Sequence, residues 1–139
     1  MTFQNPAQET IQGYLKDAKN IAVVGLSNKP DRVSYEIAQL LQEKGYKIFP
    51  VNPVLAGQEV LGEPVVEKLT DIKEPIDIVD IFRRSEFLPE VAREFIQTDA
   101  KVFWAQLGLF SQEAADILEA AGKKETVMDR CVKIELRNL

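Results

Sequence analysis

Short runs of the chain, the clearest at 21–25, are rich in consecutive apolar residues, and the longer stretches beside them are apolar only at every third or fourth position. The first run, Ile21-Ala22-Val23-Val24-Gly25, is too short and too β-branched for a helix. Its unbroken apolar character predicts a strand buried on both faces, as in a parallel sheet. Residues 46–51, 76–82 and 101–105 are read as further strands, and 125–128 as a short final one. Ile11, Tyr14, Leu15 and Ala18 recur at helical spacing, so residues 6–18 form a short helix that covers the body with one apolar face. Ile37, Ala38, Leu40 and Leu41 make a second helical stripe, with Ser34 as its N-cap and Gly45 just past its end. Leu88, Val91, Ala92, Phe95 and Ile96 predict a helix over 87–98. Ser111 caps another, bearing Ala114, Ala115, Ile117, Leu118 and Ala121 and stopped by Gly122.

Residues 54–75, broken by Gly57, Gly62, Pro64 and Pro75, hold a crossover with one or two helical turns at 66–72. Strands alternating with helices in this way give an α/β fold. The expected form is a Rossmann-like, doubly wound parallel sheet of about five strands between two helical layers, one domain over 1–139 with 1–18 as an N-terminal covering helix. In such sheets ligands lie outside the carboxyl ends of the strands, where the strand order switches. The residues that matter should therefore follow the strands, at 25–34, 52–53, 83–85, 106–108 and 129–131.

At 139 residues the chain buries a core without help from disulfides or metal, and its single cysteine excludes an internal disulfide framework. A net charge of −5 argues against nucleic-acid binding, which draws most of its affinity from a basic face. No apolar run is long enough to span a membrane and the first residues lack a signal-peptide pattern, so the expected location is cytoplasmic. An anionic ligand has to be met by a local cluster of cations.

The loop after the first strand supplies such a cluster. Gly25-Leu26-Ser27-Asn28-Lys29-Pro30-Asp31-Arg32-Val33-Ser34 leads from a buried strand into an amphipathic helix. It aims backbone N–H groups, a helix N-terminus and the cations Lys29 and Arg32 at one point, which is how a phosphate is held without metal or histidine. Cations at a helix start are locally disfavoured unless an anion joins them. The loop has one glycine where the dinucleotide fingerprint has three, and the second strand ends in Val51-Asn52-Pro53, with no carboxylate for ribose hydroxyls. Ordinary NAD binding is thereby disfavoured.

The ordered set Val23-Val24-Gly25-Leu26-Ser27, Pro30, Arg32, Ser34, Gly45-Tyr46, Pro50-Val51-Asn52-Pro53, Leu61-Gly62, Asp80-Ile81-Phe82-Arg83-Arg84, Trp104-Ala105-Gln106-Leu107-Gly108 and Met128-Asp129-Arg130-Cys131 resembles the small stand-alone CoA-binding proteins. Their fold is similar to the N-terminal CoA-binding domain of the succinyl-CoA synthetase α subunit. The resemblance spans essentially the whole chain. It implies coenzyme A or an acyl-CoA as ligand, its phosphates held by the backbone of Gly25, Leu26 and Ser27 with Lys29, Pro30, Arg32 and the Ser34 helix start, and Tyr35 beside them. It further implies Asn52 and Pro53 on the adenosine side. Phe82, Arg83 and the Gln106, Leu107, Gly108 turn would flank the ligand across the crevice, with the Gln106 amide meeting pantetheine amides.

With no histidine, the chain cannot form a phosphohistidine or use imidazole as a base or metal ligand. Its carboxylates are scattered, with no metal cluster and no Gly-x-Ser-x-Gly elbow, so no catalytic residue is assigned. The expected function is a binding module that senses, stores or presents CoA, alone, as a homodimer or with a partner enzyme. The alternatives are an enzyme acting on a CoA thioester or other nucleotide-bearing ligand, and a fold serving only as a partner surface. Trp104 is read as core, and one of Arg83 and Arg84 as paired with Asp80 or Glu86. Cys131 is either a small buried hydrophobe or a thiol near the pantetheine end that could exchange with CoA.

Overall fold

The structure, a computed structural model, describes residues 2–139. In chain order its principal elements are α1 (Gln8–Asp17), β1 (Asn20–Val24), α2 (Val33–Glu43), β2 (Lys47–Val51), β3 (Glu59–Val60), β4 (Glu63–Pro64), β5 (Ile78–Ile81), α3 (Leu88–Phe95), β6 (Val102–Ala105), α4 (Gln112–Ala120), β7 (Thr126–Val127) and α5 (Val132–Arg137). Five strands form one parallel sheet in the order β2-β1-β5-β6-β7. The chain leaves β1 toward one edge, returns past it after β2, and continues toward the other edge from β5. The order of winding therefore reverses between β1 and β5. This is the doubly wound α/β architecture that the apolar runs predict.

The sheet is buried on both faces because its strands carry apolar residues at successive positions. Ala22, Val24, Val79, Ile81, Phe103 and Ala105 face α3, α4 and the segment around Leu69, while Ile21, Val23, Ile78, Val102 and Trp104 face α1, α2 and α5. Phe95 of α3 meets Phe103 edge to face, with ring centroids 5.5 Å apart. Trp104 is fully buried and its indole Nε1 donates to the carbonyl of Arg130 at 2.9 Å, so it is a core residue, as read from the sequence. At the amino ends of the strands, an oxygen of Asp77 accepts from the amides of Lys19 and Asn20 at 2.8 and 3.0 Å, fixing the entry into β1.

Three features depart from the sequence reading. Residues 54–75 contain the two-stranded β3–β4 hairpin, turning at Leu61 and Gly62, both at positive φ, and a single 3-10 turn at Leu69–Asp71. The chain adds α5 after the last strand. Arg32, not Ser34, occupies the N-cap position of α2, and its side chain makes no capping bond, so Ser34 lies inside the first turn. Ser111, by contrast, caps α4 as expected, its Oγ accepting from the Ala114 amide at 3.0 Å.

The N-terminal segment is tied in before α1 begins. Asn5 Nδ2 donates to the carbonyl of Met128 at 2.8 Å and Asn5 Oδ1 accepts the Met128 amide at 2.9 Å, an arrangement that imitates a strand pairing beside β7. Replacing Asn5 by Ala leaves both Met128 groups without a partner. The expected loss is about 1–3 kcal/mol of unfolding free energy, measured by urea denaturation, with no change of fold by circular dichroism.

Candidate ligand-binding site

The winding reversal opens a crevice between the carboxyl ends of β1 and β5, floored by Gly25 and Phe82. The amide of Phe82 donates to the Val24 carbonyl and the Gly25 amide to the Val51 carbonyl, both at 2.8 Å, locking the three strand ends together. Gly25 sits at φ +84°, and a Cβ built on it would lie 2.5 Å from the backbone oxygen of Phe82. The chain can therefore turn out of β1 here only because the residue is glycine.

Beyond Gly25, an open cleft of about 470 Å³ is lined by Gly25, Ser27, Lys29, Arg32, Val33, Ser34 and Phe82. Leu26 is 1% exposed and packs into the core under the loop. Asn52 braces the loop from β2, its Nδ2 donating to the Leu26 carbonyl at 3.0 Å and its Oδ1 accepting from Val54 at 3.0 Å. Ser34, 7% exposed, accepts the Ser27 amide on its Oγ at 3.0 Å, and Ser27 Oγ accepts the Lys29 amide at 3.0 Å.

These bonds alter which donors face the cleft. The Gly25 and Ser27 amides are used inside the protein, so they are not the free N–H groups the sequence reading made of them. Among the described residues, the amides of Val33, Ser34 and Tyr35 at the start of α2 have no acceptor within the protein. The helix N-terminus, with the exposed Lys29 and Arg32 beside it, is where the cleft offers free donors and positive charge. Pro30 is exposed in the same loop and Tyr35 is half-buried against the core. Val33, 62% exposed, lines the cleft and is a site residue the sequence reading omitted.

A second, smaller cleft of about 170 Å³ lies on the α3 side, lined by residues that include Pro53, Glu67, Arg83 and Glu90. The guanidinium of Arg83 lies over the ring of Phe87, 4.6 Å from its centroid. Arg84 is exposed and pairs with Glu86 at 3.8 Å, so of the two acids offered by the sequence Glu86 is the partner. Asp80 faces elsewhere.

The turn after β6 follows the carboxyl end of the next strand. Gly108, at φ +84°, donates its amide to Asp129 Oδ1 at 2.7 Å, and Leu107 is 62% exposed. Gln106 corrects an expectation. Its side chain is 4% exposed and turned into the core, where Nε2 donates to Asp80 Oδ1 and Oε1 accepts the Val132 amide at 3.4 Å. The turn thus exposes Leu107 and keeps the glutamine amide inside the protein.

Asp80 is fully buried, and its Oδ2 has no hydrogen-bond partner. Burial pushes its carboxyl up to about 7, opposed by the bond from Gln106. The signal for it in the sequence is a lone acid inside a run apolar enough to be buried on both faces. Cys131, half-buried, precedes α5.

The sequence model of a family described as CoA binding domain matches residues 19–137. The chain belongs to the CoA-binding domain family. It is 50% identical over 132 residues to the protein YneT of Bacillus subtilis, covering 95% of this chain and 96% of that one. It is also 35% identical over 92 residues to the acetate–CoA ligase (ADP-forming) I subunit alpha of Pyrococcus furiosus, covering 63% of this chain but only 20% of that subunit. Among solved structures, a Thermus thermophilus protein superposes with a TM-score of 0.90 at 35% identity, covering 96% of this chain and 98% of that one. A Pyrococcus horikoshii protein gives 0.89 at 33% identity, covering 100% and 99%.

Two outcomes follow from this family member's crevice floor. Gly25→Ala forces a side chain against the Phe82 carbonyl at a positive φ and should cost about 3 kcal/mol, read from chemical denaturation. Asp80 ionises in the unfolded chain near pH 4 but in the folded protein only near 7. Unfolding free energy should therefore fall as pH rises from 4 to 7, by up to about 4 kcal/mol, and then level off. Asp80→Asn should remove that slope in melts taken across the range.

Proposed function

We propose that the protein binds coenzyme A or an acyl-CoA in this crevice, without catalysis of its own. The observation that carries the reading is the cleft at the start of α2, where three uncommitted backbone amides and two cationic side chains meet at the winding reversal. Anions bind at helix N-termini because the amides and the helix dipole both favour negative charge, and Lys29 and Arg32 add charge-assisted bonds. Cations placed there without an anion would weaken the helix start. Membership of the CoA-binding domain family supports CoA as the anion's source.

The phosphates of the nucleotide half would lie over Val33, Ser34 and Tyr35, with Gly25 letting the backbone come close. The adenosine side would run toward Pro53 and Arg83, whose guanidinium, stacked on Phe87, offers a flat cationic surface. The pantetheine arm would cross the ends of β5 and β6 past Phe82, Leu107 and Gly108. Asn52 and Ser34 would act from behind, holding the loop in shape. The residues match a fifth of a ligase subunit, and none of them is histidine. This fits a module that holds or presents the ligand in the cytoplasm, with any chemistry left to a separate enzyme.

Calorimetric titration of the ligand-stripped protein with CoA, dephospho-CoA, acetyl-CoA and NAD tests this. Saturable CoA binding, no NAD binding and no product from acetyl-CoA are the expected results. CoA consumed or a thioester cleaved would make the protein an enzyme, and no binding would remove the reading. Arg32→Ala should weaken CoA binding at least tenfold, roughly the worth of one charge-assisted hydrogen bond, with an unchanged melting temperature.

A further inference from the structure

We infer that Glu94 on α3 is a positioning residue for the adenosine side of the crevice, its carboxylate holding in place the segment 67–74 that walls the smaller cleft. The inference rests on the reading of the crevice as a CoA site and adds a residue that shapes that site through its neighbour Leu69.

The two clefts meet at Arg83. A Cβ built on Gly25, which lines the larger cleft, would lie 3.5 Å from Cδ of Arg83, which lines the smaller one. A ligand with its phosphates over the start of α2 thus has the Arg83 side chain as a bridge into the smaller cleft. Whole drug-sized ligands occupy about 300–1,000 Å³. At about 170 Å³ the smaller cleft takes only a part of one. Val24, Val51, Leu69 and Val91 are buried and give it an apolar floor that suits the face of a ring. Strand ends and α3 form two of its sides, and Glu67, Lys68 and Leu69 form the remaining one.

That last side is weakly tied to the molecule. The Lys68 amide donates to Asp71 Oδ2 at 3.1 Å, and the Asp71 and Ile72 amides donate to the carbonyls of Lys68 and Leu69 at 3.0 and 3.1 Å. These bonds close a 3-10 turn but attach it to nothing else. Among the described residues, the one hydrogen bond from 67–74 to the rest of the protein runs from the Leu69 amide to Glu94 Oε1, and no ion pair joins it. Packing leaves room on both sides. A cavity of about 360 Å³ separates the segment from residues 97–100, and another of about 270 Å³ separates it from residues 47–50. Leu69, 3% exposed, is its main apolar anchor.

Glu94 is well placed to supply what packing does not. Helix α3 is fixed to the sheet by Leu88, Val91, Ala92 and Phe95, so a half-buried carboxylate on it is a rigid acceptor. It takes the N–H of the first residue of the turn in a charge-assisted bond. That bond sets where Leu69 enters the core, and with it the width of the cleft. Once the bond is lost, the turn can shift into the space beside it by a local opening that leaves the sheet intact.

Charge alone predicts the opposite effect of Glu94 on an anionic ligand. A carboxylate beside the site repels phosphate, so removing its charge by any substitution would tighten binding. Positioning requires an acceptor at this place and is indifferent to its charge, which separates Glu94→Ala from Glu94→Gln.

The test is calorimetric titration of the native protein and both variants with CoA, with amide hydrogen exchange read by NMR. Glu94→Ala should bind CoA about tenfold more weakly, while Glu94→Gln should bind at least as tightly as the native protein. In the unliganded state Glu94→Ala should speed exchange of the Leu69 amide about tenfold and leave β1 and β5 unchanged. CoA bound equally or more tightly by Glu94→Ala, or a loss that Glu94→Gln does not restore, would overturn the inference while leaving the CoA reading intact. Absence of CoA binding to the native protein would overturn the CoA reading, and this inference with it. A measurement on the native protein guards against a variant that does not fold. Saturating CoA should slow exchange of the Leu69 amide at least about fivefold, and an unchanged rate would overturn the placing of this segment against the ligand.

Discussion

The passage of Gly25 over the carbonyl of Phe82 is the constraint on which the rest of the molecule depends. At that point the end of β1 is bonded to β2 through Val51 and to β5 through Phe82, so the two halves of the sheet are joined within one residue. With no side chain at Gly25 the backbone can leave the sheet sharply, pass close over β5 and start α2 above it. A helix started there has its dipole and its first amides directed at the gap between the halves. The crevice, its polarity and its place at the winding reversal all follow from that single crossing. Asn52 from the neighbouring strand and Ser34 from the helix keep the intervening loop from relaxing.

The elements most legible in the sequence are those whose burial is simplest. Runs such as Ile21 to Val24 and Val102 to Ala105 are buried at nearly every position, and their shortness and their β-branched or aromatic residues argue for a strand over a buried helical segment. The loop of the crevice was legible for a related reason, because glycine, cations and a helix start coincide within a few residues. Helix α5 was not, since its six residues bury Val132 and Glu135 and show no apolar stripe. The β3–β4 hairpin was hidden by the brevity of its strands, two residues each.

The finer chemistry of the site is a property of tertiary structure. Ser34 has the side chain of a helix cap, yet it serves a loop amide seven residues before it in the chain. Gln106 stands after a strand in a position that suggests ligand contact, and what redirects it is Asp80, which becomes its neighbour only when β5 and β6 pair. Asp80 itself stands in a run that suggests nothing but core. A polar group buried in such a run has to find its partners across the sheet, and sequence order does not say where they are.

The two edges of the sheet bear on how copies of the chain can meet. On the outer side of β2, Pro50 contributes no N–H, and Val66 exchanges hydrogen bonds with the Pro50 carbonyl and the Asn52 amide. On the outer side of β7, the side chain of Asn5 occupies both polar groups of Met128. A strand arriving from another molecule would find little of either ladder left to extend. Contacts between copies of the chain are therefore steered away from continuous sheets and toward helices and loops, so the sheet that carries the crevice keeps its five strands to itself.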